Sequence, residues 1–359
     1  MIYKGFKFFI FFTVLLVLAA CTSDADVDEA AGGEGSEGNM SSDKTINVGM
    51  SEDVVSIDPH GSNDSASAQV RRNIYETLVS QDEELNLTEG LATEWEATDD
   101  TVWNFKLREG TTFHSGQEFT AEDVKATLDR VNDPAVAAQA AFLYEMIEEV
   151  EIVGDYEVNI HTEYSFTPLP AHLAHNAGGI MSKDLIDKDY QAALDEAGSD
   201  VTLEEYYELR EAGGDEFEAV ADEISEHIGT VTGTEPDGTN HLELAERLPG
   251  ESVSLNKFDN FQNGEREFDN VVFRVIPETQ ARLAELETGG IDIADEVDTA
   301  SAERINSGEE TELIEAASVR TNYLGFNTEK EPFSDPLVRQ AIAHAVDREE
   351  IINGVYDGY

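Results

Sequence analysis

The sequence predicts a mixed fold of the α/β or α+β class, because strand-period and helix-period segments alternate along it. Val102–Arg108 places Trp103, Phe105 and Leu107 on one face and Asn104, Lys106 and Arg108 on the other, the period of a half-buried strand. Thr120 then opens a helix, with Asp123 at its third position as in a variant capping box and Val124, Leu128 and Val131 at helical spacing. Asp335-Pro336 starts another, with Asp as N-cap, Pro in the first turn, and Val338, Ile342 and Val346 on one face.

The remaining elements follow in chain order. Thr22–Asp43 is rich in Ser, Gly, Asp and Glu and reads as a flexible tether. Gly33, Gly35 and Gly38 match a GxGxxG pattern there, but no strand precedes them and no helix follows, so no phosphate cradle is implied. The folded part begins near Thr45, with Thr45–Met50 as its first strand. Glu157–Thr162 and Asn270–Ile276 read as further strands. Gly198–Asp237 carries Leu203, Tyr206, Tyr207, Leu209, Phe217, Val220 and Ile224 in an acidic background, which predicts one or two amphipathic helices covering a lobe surface. At 359 residues the chain is long enough for two packed lobes.

Asp and Glu number 77 against 22 Lys and Arg, a net charge of −55. Such a chain repels nucleic acid and anionic membrane surfaces. The carboxylates are spread along the whole length, which fits a surface adapted to a salty medium, with a cation-attracting cleft as the other reading. At the N-terminus, Lys4 and Lys7 precede an apolar run, Phe8–Ala20, that is short for a membrane span. It ends in Leu18-Ala19-Ala20-Cys21, which resembles a bacterial lipobox. Residues 1–20 are thus expected to be a signal peptide and Cys21, the one cysteine, a lipidation site, leaving residues 21–44 as a tether and the protein on the extracellular face of the cell membrane. With a single cysteine no internal disulfide is possible.

Four groups of segments carry a family resemblance. They are Ser56-Ile57-Asp58-Pro59-His60 with Asn73–Val79; Gly90–Glu96, Trp103–Gly110, Phe113–Gly116 and Phe119–Val124; Pro249–Leu255, Val271–Pro277 and Gly290–Ala294; and Tyr323–Thr328, Pro332–Asp335 and Val338–Ile342. In this order they resemble the extracellular solute-binding proteins, family 5, that serve peptide, dipeptide, glutathione and nickel ABC importers. The resemblance implies an α/β fold of the periplasmic-binding-protein type, with two lobes and a hinge that closes over the ligand. It implies a first lobe over 45–275 with a subdomain at about 66–177, an acidic insertion at about 198–237, and a crossing near Val275-Ile276-Pro277 into a second lobe begun by 276–359. Two departures stand out. Gly238-Thr239-Asn240-His241-Leu242 only partly matches the turn that relatives carry, and Asp259-Asn260-Phe261-Gln262 lacks a Trp. Relatives continue well past the Val338–Ile342 helix, so the 359 residues are expected to leave the second lobe incomplete and the region after Pro277 loose.

Ligand-binding candidates follow. In the peptide binders that the chain resembles, the loop Gly61–Ser65 faces the ligand backbone, so Asn63 and Ser65 are candidates. Asn240 and His241 lie in the partly matching turn. Glu278 and Thr279 follow the expected crossing, where a Glu would meet a peptide amine. Arg320, Asn322 and Tyr323 precede a strand-like segment; Arg320 would hold a peptide carboxylate or join an ion pair. Tyr144 is a candidate aromatic wall or a core residue. Asp58-Pro59-His60 reads first as a turn, and the spacing of His172 and His175 is weak evidence for a metal. No Walker loop, GxSxG elbow or paired-cysteine pattern occurs, so neither a cofactor nor an enzymatic activity is expected. The expected function is capture of extracellular peptides by a monomeric lipoprotein that delivers them to ABC permease subunits. The alternatives are nickel-chelate or glutathione binding, and a lipoprotein that presents a ligand to a sensor.

Overall fold

A computed structural model of the protein describes residues 44–262, 264, 266–315 and 322–356. The first strand, β1 (Thr45–Met50), passes into a long loop and then α1 (Ser65–Ile74). A short hairpin, β2 (Val79–Gln81) with β3 (Leu87–Glu89), precedes β4 (Ala92–Asp99) and β5 (Val102–Leu107). Next come α2 (Ala121–Val131), β6 (Ile147–Gly154), β7 (Glu157–Thr162), α3 (Leu169–His172) and α4 (Lys183–Ala197). The acidic stretch forms α5 (Leu203–Ala212) and α6 (Asp215–Ile224). The chain continues through β8 (Leu242–Leu248), β9 (Ser252–Lys257), β10 (Asn270–Val275), α7 (Thr279–Glu287), β11 (Ile293–Ala294) and α8 (Thr299–Asn306), and then α9 (Pro336–Ala345) and α10 (Arg348–Val355).

Two sheets organise these elements. One is five-stranded, in the order β11-β1-β10-β9-β8; the other is four-stranded, in the order β4-β5-β7-β6. In the first, β1 pairs in parallel with both β10 and β11, while β9 is antiparallel to β10 and β8 is antiparallel to β9. The second is antiparallel throughout. It buries Phe105, Leu107, Val158 and Ile160 against Val124, Leu128 and Val131 of α2, the stripe that the sequence period marks. Thr120 and Asp123 form a reciprocal capping box at the start of α2, and Asp335 caps α9 with Pro336 in the first turn.

Two elements depart from expectation. The helices α5 and α6 do more than cover a surface: Tyr206, Phe217, Val220 and Ile224 are buried in the same cluster as Val48 and Met50 of β1. The Tyr206 hydroxyl donates to Asp133, which also accepts from Tyr190 at 2.7 Å, so the acidic stretch supplies core to the first sheet. The chain also does not leave the first sheet at Val275–Pro277. After β10, α7 returns the chain to β11, which adds to the edge of the same sheet, and Leu283, Ile291, Ala302 and Ile305 are buried. The first sheet therefore ends near residue 294, and the segment after Pro277 is packed rather than loose through α8. By contrast, α9 and α10 bury no residue.

Candidate ligand-binding site at the carboxyl edge of the sheet

Because β1, β10 and β11 are parallel, their carboxyl ends line up: Met50 sits opposite Val275, and Gly49 opposite Ala294. In open sheets with parallel strands, the crevice beyond this edge is where ligands bind, since the loops and helix starts gather there. Here the edge is followed by α1, α7 and α8, each capped by a carboxylate. Asp64 accepts from the Ser67 amide at 2.8 Å, Glu278 from that of Ala281 at 2.7 Å, and Asp298 from that of Ser301 at 2.8 Å. Each cap satisfies an orphan amide at its helix start.

Side chains tie the three outgoing segments together. Gln69 donates to Asp295 Oδ2 at 3.1 Å, and Ser51 Oγ to Glu296 Oε2 at 3.0 Å. Arg282, 1% exposed, donates to the carbonyls of Ile276 (2.7 Å) and Asp295 (3.2 Å). Its stem crosses β1 at Gly49, where a Cβ would stand 3.0 Å from Arg282 Cγ and 2.5 Å from Ile291 Cδ1, so any side chain there would have to displace these buried neighbours. Glu296 adopts φ +51°, a conformation that side chains rarely take.

The loop between β1 and α1 is held from below by a buried polar network. Arg130 of α2 is enclosed and pairs with Asp58 at 2.7 Å and Asp189 of α4 at 3.0 Å, while Thr232 donates to Asp58 at 2.6 Å. Burial opposes the charge on Asp58, but the adjacent Arg130 guanidinium outweighs it and holds the carboxyl below its usual range. His60 Nδ1 lies 2.9 Å from the same guanidinium, so it is the acceptor. Burial and then that positive charge push the imidazole down to about 3. The Asp58-Pro59-His60 segment is therefore a turn that also anchors the network.

The predicted site residues separate into groups. Asn63 and Ser65 are exposed at the start of α1, and Glu278 and Thr279 begin α7, so the topology brings these four to the carboxyl edge. Glu278 serves as the helix cap there. Asn240 and His241 lie at the opposite end, because β8 runs in the same direction as β1 and they precede it. The Asn240 amide donates to the Arg72 carbonyl at the end of α1 at 2.7 Å. The His241 ring is half-buried between Phe261 and Phe268; burial and then Arg266 push it down to about 4. Neither residue therefore reaches the carboxyl edge, contrary to the expectation that they join the other candidates. Of the two readings of Tyr144, the core one holds: it is fully buried beneath the four-stranded sheet, where its hydroxyl donates to the His172 carbonyl at 3.3 Å. His172 Nδ1 meets the Leu143 carbonyl at 2.8 Å and His175 Nδ1 accepts from the Ala177 amide at 3.2 Å, so neither ring uses that nitrogen on the other. Tyr323 is exposed, and Asn322 donates to the Tyr356 hydroxyl at 2.9 Å. Arg320 and Cys21 lie outside the described residues.

Sequence reasoning missed Arg71, Arg130 and Arg282, which are all fully buried. The available signal was a cation inside an apolar stripe of a chain poor in cations, as Arg130 is between Leu128 and Val131. A surface depression of about 550 Å³ lies away from the carboxyl edge, lined by His114, Ser115, Lys188, Asp237 and Leu244. It belongs to the side of β8, where Lys188 is paired with Glu235, and we place the candidate site at the strand ends instead on topological grounds.

The sequence profile of the family described as "Bacterial extracellular solute-binding proteins, family 5 Middle" matches residues 86–359. The glutathione-binding protein GsiB of Escherichia coli K12 is 27% identical over 318 residues, which cover 88% of this chain and 54% of GsiB. Among solved structures, the oligopeptide-binding protein AppA from Bacillus subtilis, in complex with a nonapeptide, matches with a TM-score of 0.65 and 26% identity, over 88% of this chain and 56% of that one. The dipeptide-binding protein from Pseudoalteromonas sp. SM9913, in complex with Met-Leu, matches with a TM-score of 0.68 and 22% identity over 88% and 59%. This chain spans about half the length of the curated relatives it matches. With most of its length inside the family profile and its fold shared with these binding proteins, the chain belongs to the bacterial extracellular solute-binding proteins, family 5.

Proposed function

We propose that the protein captures short extracellular peptides and delivers them to the permease of an ABC importer, held at the membrane by acyl chains on Cys21. The observation that carries this reading is family membership combined with two small polar residues, Asn63 and Ser65, exposed at the carboxyl edge of the parallel strands. Short amide and hydroxyl side chains, together with loop main chain, hydrogen-bond a peptide backbone without reading its side chains. Glu278 and Thr279 supply further polar groups at the same edge, and Arg320 is proposed to take the peptide carboxylate bidentately. Closure of a second lobe over the peptide would then present the loaded form to the permease. These are binding roles, so the protein is read as a carrier and not an enzyme.

Glutathione is the second reading, favoured by the match to GsiB. Exposing the protein, at its full native length, to a mixed peptide library and identifying retained species by mass spectrometry tests both. Retention of varied short peptides, reduced by Ser65→Arg, supports the first; retention of glutathione alone supports the second. Retention of neither, or of peptides equally by the variant, refutes the site. Replacing Cys21 with Ala should release the protein from membranes or block its processing; unchanged processing and membrane attachment would refute the anchor.

A further inference from the structure

We infer that Arg71 is a positioning residue that sets the shape of the Asp58–Ser65 loop for the ligand, an inference that rests on the peptide-capture reading above. Arg71 lies on the buried side of α1 and is 1% exposed. Helical side chains lean towards the helix start, which carries its guanidinium back under the loop that feeds α1. There Nη1 donates to the carbonyls of Asp58 and Ser62, both at 2.9 Å, and approaches the Pro59 carbonyl at 3.5 Å and Ser62 Oγ at 3.3 Å. Nη2 donates to Asn176 Oδ1 at 3.0 Å. One guanidinium thus joins both ends of the Asp58–Ser62 turn and fixes them to a segment more than a hundred residues away in sequence.

The choice of arginine calls for a reason beyond stability. Among the described residues no carboxylate lies within ion-pair distance of Arg71: Asp64 and Asp58 favour its charge only from further off, and the Asp58 oxygens are taken by Arg130, Thr232 and the His60 amide. A buried cation without a direct counter-ion is expensive, and an apolar residue of similar volume is usually tolerated at least as well. What an apolar residue does not supply is a set of fixed donors for carbonyls that no helix or strand claims. Those carbonyls belong to the turn that sets Asn63 and Ser65. Ser62 Oγ donates to Asp64 at 2.6 Å, and Asp64 caps α1, so the positions of Asn63 and Ser65 are determined from both sides. A loop that is already ordered spares the ligand that ordering cost.

The test compares Arg71→Met, Arg71→Lys and Asn176→Ala with the parent protein, using two readouts. The first needs no ligand: hydrogen exchange at His60, Gly61 and Asn63 should accelerate in all three, while the amides of Val70–Ile74 keep their protection. The second is peptide binding by stopped flow. A loop that is competent only part of the time lowers the apparent affinity by that fraction. The association rate should fall, on the order of tenfold for Arg71→Met, with the dissociation rate unchanged. Lysine keeps the charge but not the planar fork, so Arg71→Lys should behave like Met and not like arginine. Unchanged loop exchange in folded variants, or a loss of affinity carried wholly by dissociation, would overturn the inference. If Arg71→Met does not fold, Asn176→Ala decides by the same two readouts. Absence of peptide binding by the parent protein would sink the peptide reading alone, and the exchange comparison would still decide whether Arg71 shapes the loop.

Discussion

Arg130 is enclosed among Asp58, Asp189, Thr232 and His60, and every one of these contacts is long-range in sequence. Replacing it with Met strands two buried carboxylates, for which a loss of about 3–5 kcal/mol is expected. Equilibrium denaturation of Arg130→Met measures this, and a loss below about 1 kcal/mol would mean that the network is not what holds the loop. The same network makes stability depend on pH. Folded His60 titrates at about 3 instead of 6.5, so below pH 6.5 the unfolded chain takes up a proton that the folded chain refuses. Stability should therefore fall from pH 6.5 towards 3. Asp58, held below its ordinary 3.8, contributes stability that is present above that value and lost as pH falls through the folded one, in the same direction. Thermal melts of His60→Gln should be flatter than the parent's between pH 6.5 and 3; an unchanged slope would remove His60 from the account. Little of this was legible beforehand. The Asp58-Pro59-His60 turn was visible as a local signature, but Arg130, Asp189 and Thr232 meet it only through the fold.

Elements were legible where their signals are local. The Thr120/Asp123 box, the Asp335 cap and the alternation of Val102–Leu107 each depend on residues within a few positions, and the structure has them in place. Strand partners are different. Ile293–Ala294 is too short to announce itself, and only its parallel pairing with Val48–Gly49 reveals that the chain returns to the first sheet. The candidate site suffered for the same reason. Asn240 and His241 lie in the partly matching turn but precede a strand parallel to β1, and so fall at the opposite edge. That edge has its own constraint: a Cβ on Gly238 would lie 2.0 Å from the Ile74 carbonyl oxygen at the end of α1. Gly238→Ala should therefore lower the melting temperature clearly, whereas Gly198→Ala, at a left-handed helix end with open space, should cost only the backbone strain of about 1–2 kcal/mol. Equal effects would contradict the packing described at the α1–β8 junction. Hydrogen exchange should likewise show β1, β10 and β11 protected and α9 and α10 weakly protected, since the last two bury no side chain. Strong protection across both helices would contradict that.

At the scale of the whole molecule, a net charge of −55 repels itself, and salt screens that repulsion. The melting temperature should rise as sodium chloride is added from about 0.05 M, and a steady fall would contradict the account. The general fold class and the family were legible across the chain because their signals are spread over many segments in register. The ligand was not, because recognition of a peptide backbone uses small polar groups that resemble any loop. The central claim is that Asn63 and Ser65 at the carboxyl edge take part in capturing peptides. Titration calorimetry of the protein at its full native length, with short peptides and with free sugars, tests it most directly. The account predicts saturable peptide binding with a micromolar or tighter Kd, about −8 kcal/mol or more favourable, weakened by Ser65→Arg, and no response to sugars. Saturable sugar binding with no response to peptides would contradict it.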